Sequence, residues 1–235
     1  MPDVIGGDPQ FRSDRGEADQ TVAAALAAFA AGTGSEQAAL TALASSRLLV
    51  PIVAVASGER DENGAEKSSE MAAPAIVGAD GRRALPAFTS MDSLRRWKAD
   101  ARPVPVPALG VWQSAAGESQ AVIIDIAGPV QLAVEGARLA ALAGGAAVPP
   151  LHQDPDVHAV VAAVAAARPV GIRIRIGPPQ GAGDLTIELA PADPGAGDPI
   201  PPAVAEEIAN EIADRLADRL AAGIALVVRR PAARP

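Results

Sequence analysis

The stretch VGIRIRIGPPQGAGDLTIELA, residues 170–190, indicates which fold class the second half of the chain adopts. Apolar residues take every second position on both sides of the turn-forming letters GPPQGAG, and this period is typical of half-buried strands. Arg173 and Arg175 then lie on the outward face, and an ion pair joins the two strands if Arg173 lies opposite Glu188. The stretch therefore predicts a two-stranded hairpin with one buried face.

Helical patterns lie on both sides of this hairpin. Asp154 followed by Pro155 is typical of a helix start, and residues 204–220 carry the apolar spacing of a long amphipathic helix. Residues 224–228 predict a last strand. We therefore expect residues 154–230 to form a compact α+β domain of order helix–strand–strand–helix–strand, after a linker at 149–153 and before a tail at 231–235.

The first half of the chain mixes strand and helix signals. Residues 48–56 are apolar on both faces, which predicts a strand covered on both sides, with Pro51 at an edge or a bulge. Residues 121–126 predict a second buried strand, and Asp80-Gly81 between two apolar runs predicts a hairpin. We expect residues 19–148 to form a first α+β domain, a mixed sheet with flanking helices, after a disordered tail at 1–18.

Capping residues and charged residues predict the helices and the loop of this half. Asp19 and Ser35 are expected to cap two short helices, and Thr89 or Ser90 a third. Residues 57–70 are predicted to form a charged loop, and residues 135–143 a helix.

The composition disfavours several classes of function. The 235-residue chain carries a formal net charge of −8, whereas a general nucleic-acid binder needs a basic excess to neutralise phosphates. It contains no cysteine, which excludes disulfides, thiol catalysis and cysteine-ligated metals. We see neither an apolar run of membrane-spanning length nor the basic and apolar start of a signal peptide, so we expect a cytoplasmic protein without a membrane or nucleic-acid partner. We predict no cofactor.

Several short motifs of the first half follow one another in a characteristic order. They are LLVPIVAV (48–55), a polar loop with Lys67, Met-Ala-x-Pro at 71–74, DGRRALPAFTSMDSLRRW (80–97), ARPVPVPA (101–108) and IDIAGP (124–129). Together they resemble the N-terminal domain of SseB-type proteins, the enhanced serine sensitivity family, over roughly residues 20–148. The rest of the chain resembles, more weakly, the C-terminal domain of some members. Because the family has no established reaction, cofactor or catalytic residues, the resemblance implies none here.

The segment 82–102 is locally basic in an acidic chain. Its cations are Arg82, Arg83, Arg95, Arg96, Lys98 and Arg102, against Asp92 and Asp100. A hairpin and the helix after it would present these cations together to an acidic partner or a phosphate. Phe88, Thr89 and Trp97 complete the set of candidate contact residues, since Arg and Trp are enriched in interface hot spots. The alternative is a solvated face with weak ion pairs, with Trp97 in the core.

Asp125 interrupts an apolar strand and is a candidate buried acid. A carboxylate there needs partners and has a raised pKa if it is buried. The alternative is a strand-end aspartate that bonds the turn at Gly128. Thr89 and Ser90 offer hydroxyls for a ligand or a nucleophile, although helix capping explains both equally simply.

A second set of polar residues recurs at every other position. It consists of His152, Asp154, Asp156 and His158, which would share one face of a strand and could bind a divalent metal. Asp154-Pro155 is instead typical of a helix start, which would make Asp154 the cap and place Asp156 in the first turn. We prefer the cap and assign no metal or catalytic residue.

Three functions remain open from the sequence. The first is a non-enzymatic interaction or regulatory protein that binds a protein partner through the locally basic segment. The second is a sensor of a small molecule or anion gripped by the arginines. The third is a hydrolase or metalloenzyme that uses Asp125 with His152 or His158. We prefer the first, because no convergent catalytic set is present in the sequence.

Overall fold

The computed structural model describes residues 11, 13–56, 69–79, 81–118, 121–168, 171–181, 183–193 and 199–230. Their contacts divide them into two compact units. The first holds the described residues up to Ala27 and those of Leu40–Ala147, and the second holds Ala28–Ala39 and those from Val148 onward. Helices combined with mixed sheets confirm the predicted α+β class.

The helices begin close to the predicted positions. In chain order they are α1 (Gln20–Ala30), α2 (Glu36–Ala44), α3 (Met91–Trp97), α4 (Ala108–Glu118), α5 (Gly136–Ala143), α6 (Pro155–Ala166) and α7 (Pro202–Arg215). Asp19 and Ser35 act as the predicted caps, because their side-chain oxygens accept the backbone N–H groups of Thr21 at 2.8 Å and Ala38 at 3.1 Å. Among the described residues, no helix combines the length and the apolar character needed to cross a membrane.

The strands among the described residues form three sheets. In chain order they are β1 (Arg47–Ala56), β2 (Ser69–Ala72), β3 (Ile76–Val77), β4 (Arg83–Ala87), β5 (Arg102–Pro107), β6 (Ala121–Ile124), β7 (Leu132–Glu135), β8 (Ile172–Gly177), β9 (Leu185–Pro191) and β10 (Ile224–Val228). The first unit contains the sheets β2-β1-β5 and β3-β4-β6-β7, and the second unit contains β10-β9-β8.

Proline positions explain the first sheet. β1 lies between β2 and β5 and is antiparallel to both. Leu49 lies opposite Pro105, but its N–H and C=O bond Phe88 instead of β5. In an antiparallel ladder, only every second pair exchanges hydrogen bonds, so the pair of Pro51 with Pro103 also makes none between β1 and β5. The missing N–H groups of these prolines therefore cost no ladder bond. Pro51 belongs to the middle strand of this sheet, but only β5 pairs with it, because pairing with β2 begins at Val53. The expectation of an edge position therefore holds locally.

The second sheet brings two strand ends side by side. β4 and β6 are parallel, with Ala87 opposite Ile124, whereas the β3–β4 and β6–β7 pairs are antiparallel. The carboxyl ends of β4 and β6 therefore meet at the same edge. Phe88, directly after β4, exchanges two backbone hydrogen bonds of 2.8 and 2.9 Å with Leu49 and thereby joins this sheet to the first one.

The structure departs from the predicted elements of the first unit at short segments. β2 occupies the end of the predicted charged loop, of which residues 57–68 lie outside the described residues. β7 was not predicted, because four residues are too few for a clear alternation, and α5 begins one residue after the predicted helix. The predicted hairpin at Asp80-Gly81 is confirmed by β3 and β4, although Asp80 lies outside the described residues.

Part of the predicted disordered tail is held in place. The carbonyl of Gly16 accepts the N–H of Met91 at 2.7 Å, and the carboxylate of Asp14 pairs with Arg47 at 2.5 Å. Residues 14–17 are thus bound to the first unit, since a charge-assisted pair and a backbone bond fix them.

The second unit has the predicted order α6–β8–β9–α7–β10. β9 is antiparallel to β8 and parallel to β10, which follows α7. Its core is formed by Leu151, Val157, Val161, Val164, Leu185, Ile187, Leu189, Ile200, Ala205, Ile208, Ile212 and Leu216. Leu151 lies in the predicted linker 149–153, so this segment contributes to the core instead of merely connecting two domains.

The second unit differs from the predictions in its strand register and in the end of its long helix. Arg175, not Arg173, lies opposite Glu188, because the strands pair two residues out of the expected register. α7 ends at Arg215, short of residue 220, and the following turn directs Arg219 inward until it is only 5% exposed.

The division into units also differs from the predicted domain boundary. Residues 28–39, the tip of the α1–α2 hairpin, group with the second unit, although 19–148 was predicted as one domain. The carboxylate of Glu36 in this tip pairs with Arg219, 183 positions later, at 3.0 Å. A bond over such a distance in sequence leaves no local pattern.

Candidate interaction surface around α3

The helix α3 is anchored on its inner side to the core of the first unit. Phe88 and Leu94 are fully buried and pack with Leu49, and Met91 and Trp97 pack against this cluster. The rings of Phe88 and Trp97 lie 5.5 Å apart. Phe88 is therefore a core residue and not available at the surface, whereas Trp97 is half-buried.

A hydroxyl cap starts α3. Ser90 has extended backbone dihedrals and its Oγ accepts the N–H of Ser93 at 3.2 Å. Of the two predicted capping candidates, Ser90 is confirmed.

Thr89 has a different role. Its N–H and its Oγ1 donate to the two carboxylate oxygens of Asp125 at 2.9 and 2.6 Å. On its other side, its carbonyl accepts from Nη1 of Arg47 at 3.0 Å. Thr89 is 8% exposed, so its hydroxyl is engaged and buried rather than presented to a ligand.

Asp125 lies at the edge where the carboxyl ends of the parallel strands β4 and β6 meet. It follows β6 directly, its N–H donates to the carbonyl of Ala87 at 2.9 Å, and it is 4% exposed. Its φ of 49° is left-handed, which ends β6 two residues before the predicted limit and turns the carboxylate toward Thr89.

Glycine at position 128 permits this turn. A Cβ at Gly128 would lie 2.8 Å from the Cβ of Asp125, and the Gly128 N–H donates to the carbonyl of Asp125 at 2.6 Å. The predicted bond to the Gly128 turn is therefore made by the backbone, while the side chain bonds Thr89.

Burial raises the pKa of Asp125, and this effect outweighs the hydrogen bonds from Thr89 and Ser93, which lower it. Asp125 is thus a buried carboxyl, as one of the two alternatives expects, and it also follows the end of β6, as the other expects. Within the described part of the chain, its carboxylate accepts hydrogen bonds from Thr89 and Ser93 and not from a histidine. The arrangement thus holds the junction between β4 and α3.

The exposed part of α3 and its C-cap is mainly cationic, although Asp92 in the first turn of the helix is exposed as well. Arg95, Arg96 and Lys98 are exposed, and the described residues give none of them an ion-pair partner. We call these three cations together with Trp97 the α3 surface. Arg83 and Arg102 are also exposed, but on strands β4 and β5.

Arg82 differs from the other cations. Its Nη1 donates to the carboxylate of Glu135 at 2.6 Å, so part of its charge is offset within the unit. The structure therefore places two of the predicted cations on α3 and a third, Lys98, at its C-cap, whereas the others lie elsewhere.

The comparisons with known proteins cover this region. A family model described as the SseB protein N-terminal domain matches residues 22–141. The chain belongs to the SseB family. The match includes Arg47, Thr89, α3 and Asp125, and it does not extend to the second half, whose weaker resemblance stays a prediction. Searches of curated proteins and of solved structures return no match.

Beyond the SseB match, the four residues weighed as a metal site do not converge. Asp154 caps α6 by accepting the N–H of Asp156 at 2.8 Å, as predicted, and its other oxygen accepts from Arg219 at 2.6 Å. His158 donates from Nε2 to the carbonyl of His152 at 2.9 Å. Within the described ranges, no group of three or more His, Asp or Glu is placed to hold a metal ion.

Sequence reasoning missed two arginines that organise the chain. Arg47 bonds Asp14, Glu17 and Thr89, and Arg219 bonds Glu36 and Asp154. Burial lowers the pKa of Arg219, but the bonds and charges of the two carboxylates outweigh this and raise it. In the sequence, each of these arginines is followed by a leucine, which suggests partial burial at most. Such a local pattern does not identify carboxylate partners that lie far along the chain.

Proposed function

We propose that the SseB domain of this chain binds an acidic protein partner through the α3 surface, without catalysing a reaction. The observation that carries this proposal is the contrast between the two sides of α3. Its inner side is locked into the core by Leu94 and by Phe88, which precedes the helix. Its outer side carries Arg95 and Arg96 in solvent, followed by Lys98 at the C-cap. Within the described residues, these cations pair with nothing that would explain them as fold stabilisers.

A rigid presentation favours binding. A side chain on a helix that is already fixed loses less conformational freedom when a partner docks, so more of the contact free energy appears as affinity. Trp97 adds a half-buried aromatic ring beside the guanidinium groups, a combination enriched in interface hot spots. Opposite charge on the partner would also raise the rate of association.

The alternatives have less support. A hydrolase would need a base and a nucleophile in reach of substrate, but Asp125 and Thr89 are buried and bonded to each other. A sensor of a small anion would use the same arginines and therefore remains the competing proposal. The cytoplasm stays the predicted compartment.

The test measures binding of a fluorescent oligoglutamate peptide to the full chain by anisotropy, at low and at physiological salt. We expect Arg95→Glu with Arg96→Glu to abolish binding and to leave the melting temperature nearly unchanged, since both side chains are exposed. The matched control is Arg173→Glu with Arg175→Glu, which reverses the same two charges on β8. The control should bind like the wild type.

Two outcomes contradict the proposal. If the wild type and the α3 variant bind equally, the α3 surface is not the binding site. If the control variant loses as much binding as the α3 variant, the loss reflects the change in net charge and not the position of the arginines. If inorganic phosphate stabilises the wild type in a thermal-shift assay and the peptide does not bind, the anion sensor replaces a protein partner. A ligand present at about 100 times its dissociation constant adds about 2.7 kcal/mol of stability, which such an assay detects.

A further inference from the structure

A short segment before the SseB match lies against the start of α3. We call residues 14–17 the strap. The carbonyl of Gly16 accepts the N–H of Met91, the first residue of α3, at 2.7 Å. Gly16 has a φ of 76°, and a Cβ at this position would lie 3.0 Å from the Cβ of Met91. The strap therefore contacts the helix so closely that only glycine fits without displacement.

Arg47 ties the strap to the residue that precedes the helix cap. Its Nε and Nη2 donate to the carboxylate of Asp14 at 2.5 and 3.0 Å, and Nη2 also donates to the carbonyl of Glu17 at 2.7 Å. Its Nη1 reaches the carbonyl of Thr89 at 3.0 Å. A planar guanidinium with several fixed donors suits this task, whereas lysine would not span the same acceptors.

The junction between β4 and α3 is thus held from two sides. Asp125 binds the N–H and the hydroxyl of Thr89, and Arg47 with the strap binds its carbonyl and the next turn of chain. Removing the strap would take away the bond from the N–H of Met91 to Gly16 and the acceptors in Asp14 and Glu17 that hold the guanidinium of Arg47 in place. The direction in which α3 points would then vary more.

We propose that the strap fixes α3 in its binding orientation, with Asp14, Gly16 and Arg47 as positioning residues for the α3 surface. This inference rests on the proposed function, because it assigns to that surface a device that controls it. The affinity of a site falls in proportion to the fraction of molecules in the competent conformation. Detachment of the strap therefore weakens binding without changing any residue that touches the partner.

The test uses the full chain with Gly16→Ala, alone and combined with Asp14→Asn. Asp14 is half-buried, and Gly16 is buried against Met91 and Leu49, so a circular-dichroism melt first establishes that each variant folds. Gly145→Ala is the matched control, because Gly145 also has a left-handed φ, 66°, but no atom lies within 4 Å of a Cβ built there. Hydrogen exchange of residues 89–98 is measured without any ligand, and the dissociation constant for the oligoglutamate peptide is measured separately.

We expect the amides of Leu94 and Lys98 to exchange at least about fivefold faster in Gly16→Ala, the factor that corresponds to left-handed strain in an alanine. The double variant should also raise the dissociation constant about threefold or more, following the loss of competent molecules. The Gly145→Ala control should change neither value.

Unchanged exchange of α3 in the double variant overturns the inference, and so does faster exchange with an unchanged dissociation constant. A wild-type chain that does not bind the peptide contradicts the proposed function instead. In that case the exchange measurement still decides whether the strap fixes α3.

Discussion

At the scale of one residue, Asp125 combines a strained backbone with a buried charge. Its φ of 49° is uncommon outside glycine, asparagine and aspartate, and its carboxylate is 4% exposed. Because burial raises its pKa, the folded chain binds a proton at Asp125 more tightly than the unfolded chain does. The stabilisation that Asp125 contributes to the free energy of unfolding is therefore fully present below its pKa in the unfolded chain. This stabilisation is lost as the pH rises through its pKa in the folded chain.

Replacing this carboxyl by an amide tests the sign of that effect. In Asp125→Asn, the amide oxygen can accept from the N–H of Thr89 and the NH₂ can donate to its hydroxyl, while asparagine tolerates the left-handed φ. We expect a free energy of unfolding at pH 7 equal to or above that of the wild type, with the gap closing toward pH 4. Urea titrations at several pH values measure it.

Asp125→Ala is the control for the bonding itself. It leaves Thr89 without either bond and strains an alanine, so we expect a loss of about 1–3 kcal/mol. Parallel stability curves of the wild type and Asp125→Asn across this pH range would show that Asp125 does not titrate as described.

At the scale of an element, α3 depends on the residues that anchor it more than on its own seven residues. A helix of two turns has little intrinsic stability, so packing of its inner side must supply the rest. Phe88 is 0% exposed, joins the two sheets of its unit through Leu49, and stacks against Trp97. The same residue thus supports both the sheets and the helix.

Phe88→Ala should destabilise the chain by about 3–5 kcal/mol, because truncation of a fully buried aromatic ring leaves a cavity. Leu109→Ala on α4 is the control, since Leu109 is 41% exposed and should change stability by less than about 1 kcal/mol. Guanidinium unfolding monitored by circular dichroism gives both values. A Phe88 loss close to that of Leu109 would place its ring outside the core.

At the scale of the whole molecule, the chain depends on an ion cluster between distant segments. Arg219 is 5% exposed and bonds Glu36, which is 3% exposed, and Asp154, which is fully buried. The two carboxylates and the guanidinium are buried, so each charge is stabilised mainly by the others. Removing one partner leaves a buried charge uncompensated, which is strongly destabilising. This cluster holds the hairpin tip, residues 28–39, in the second unit.

Arg219→Met should therefore destabilise the chain by about 3–5 kcal/mol at neutral pH, even though methionine preserves much of the side-chain volume. The control is Arg229→Met, because the pair of Arg229 with Glu188 is largely exposed at 63% and 30%, and such pairs contribute about 0–1 kcal/mol. Thermal and urea unfolding compare the two. Equal losses would contradict a special role for the buried cluster.

Local patterns were sufficient for most elements and for the family. Alternation predicted β8 and β9, Asp-Pro predicted the start of α6, and the order of short motifs indicated the SseB domain that the match to residues 22–141 confirms. These features depend on interactions within a few residues, which is why the amino-acid sequence alone determines them.

Tertiary structure alone decided which side chains meet. Thr89 and Asp125 are 36 residues apart, Arg47 reaches Thr89 across 42, and Arg219 reaches Glu36 across 183. The strand pairing β4–β6 and the inward turn after α7 create these contacts. No spacing rule connects such positions, because the bonds form only once the backbone has brought the segments together and excluded water from between them.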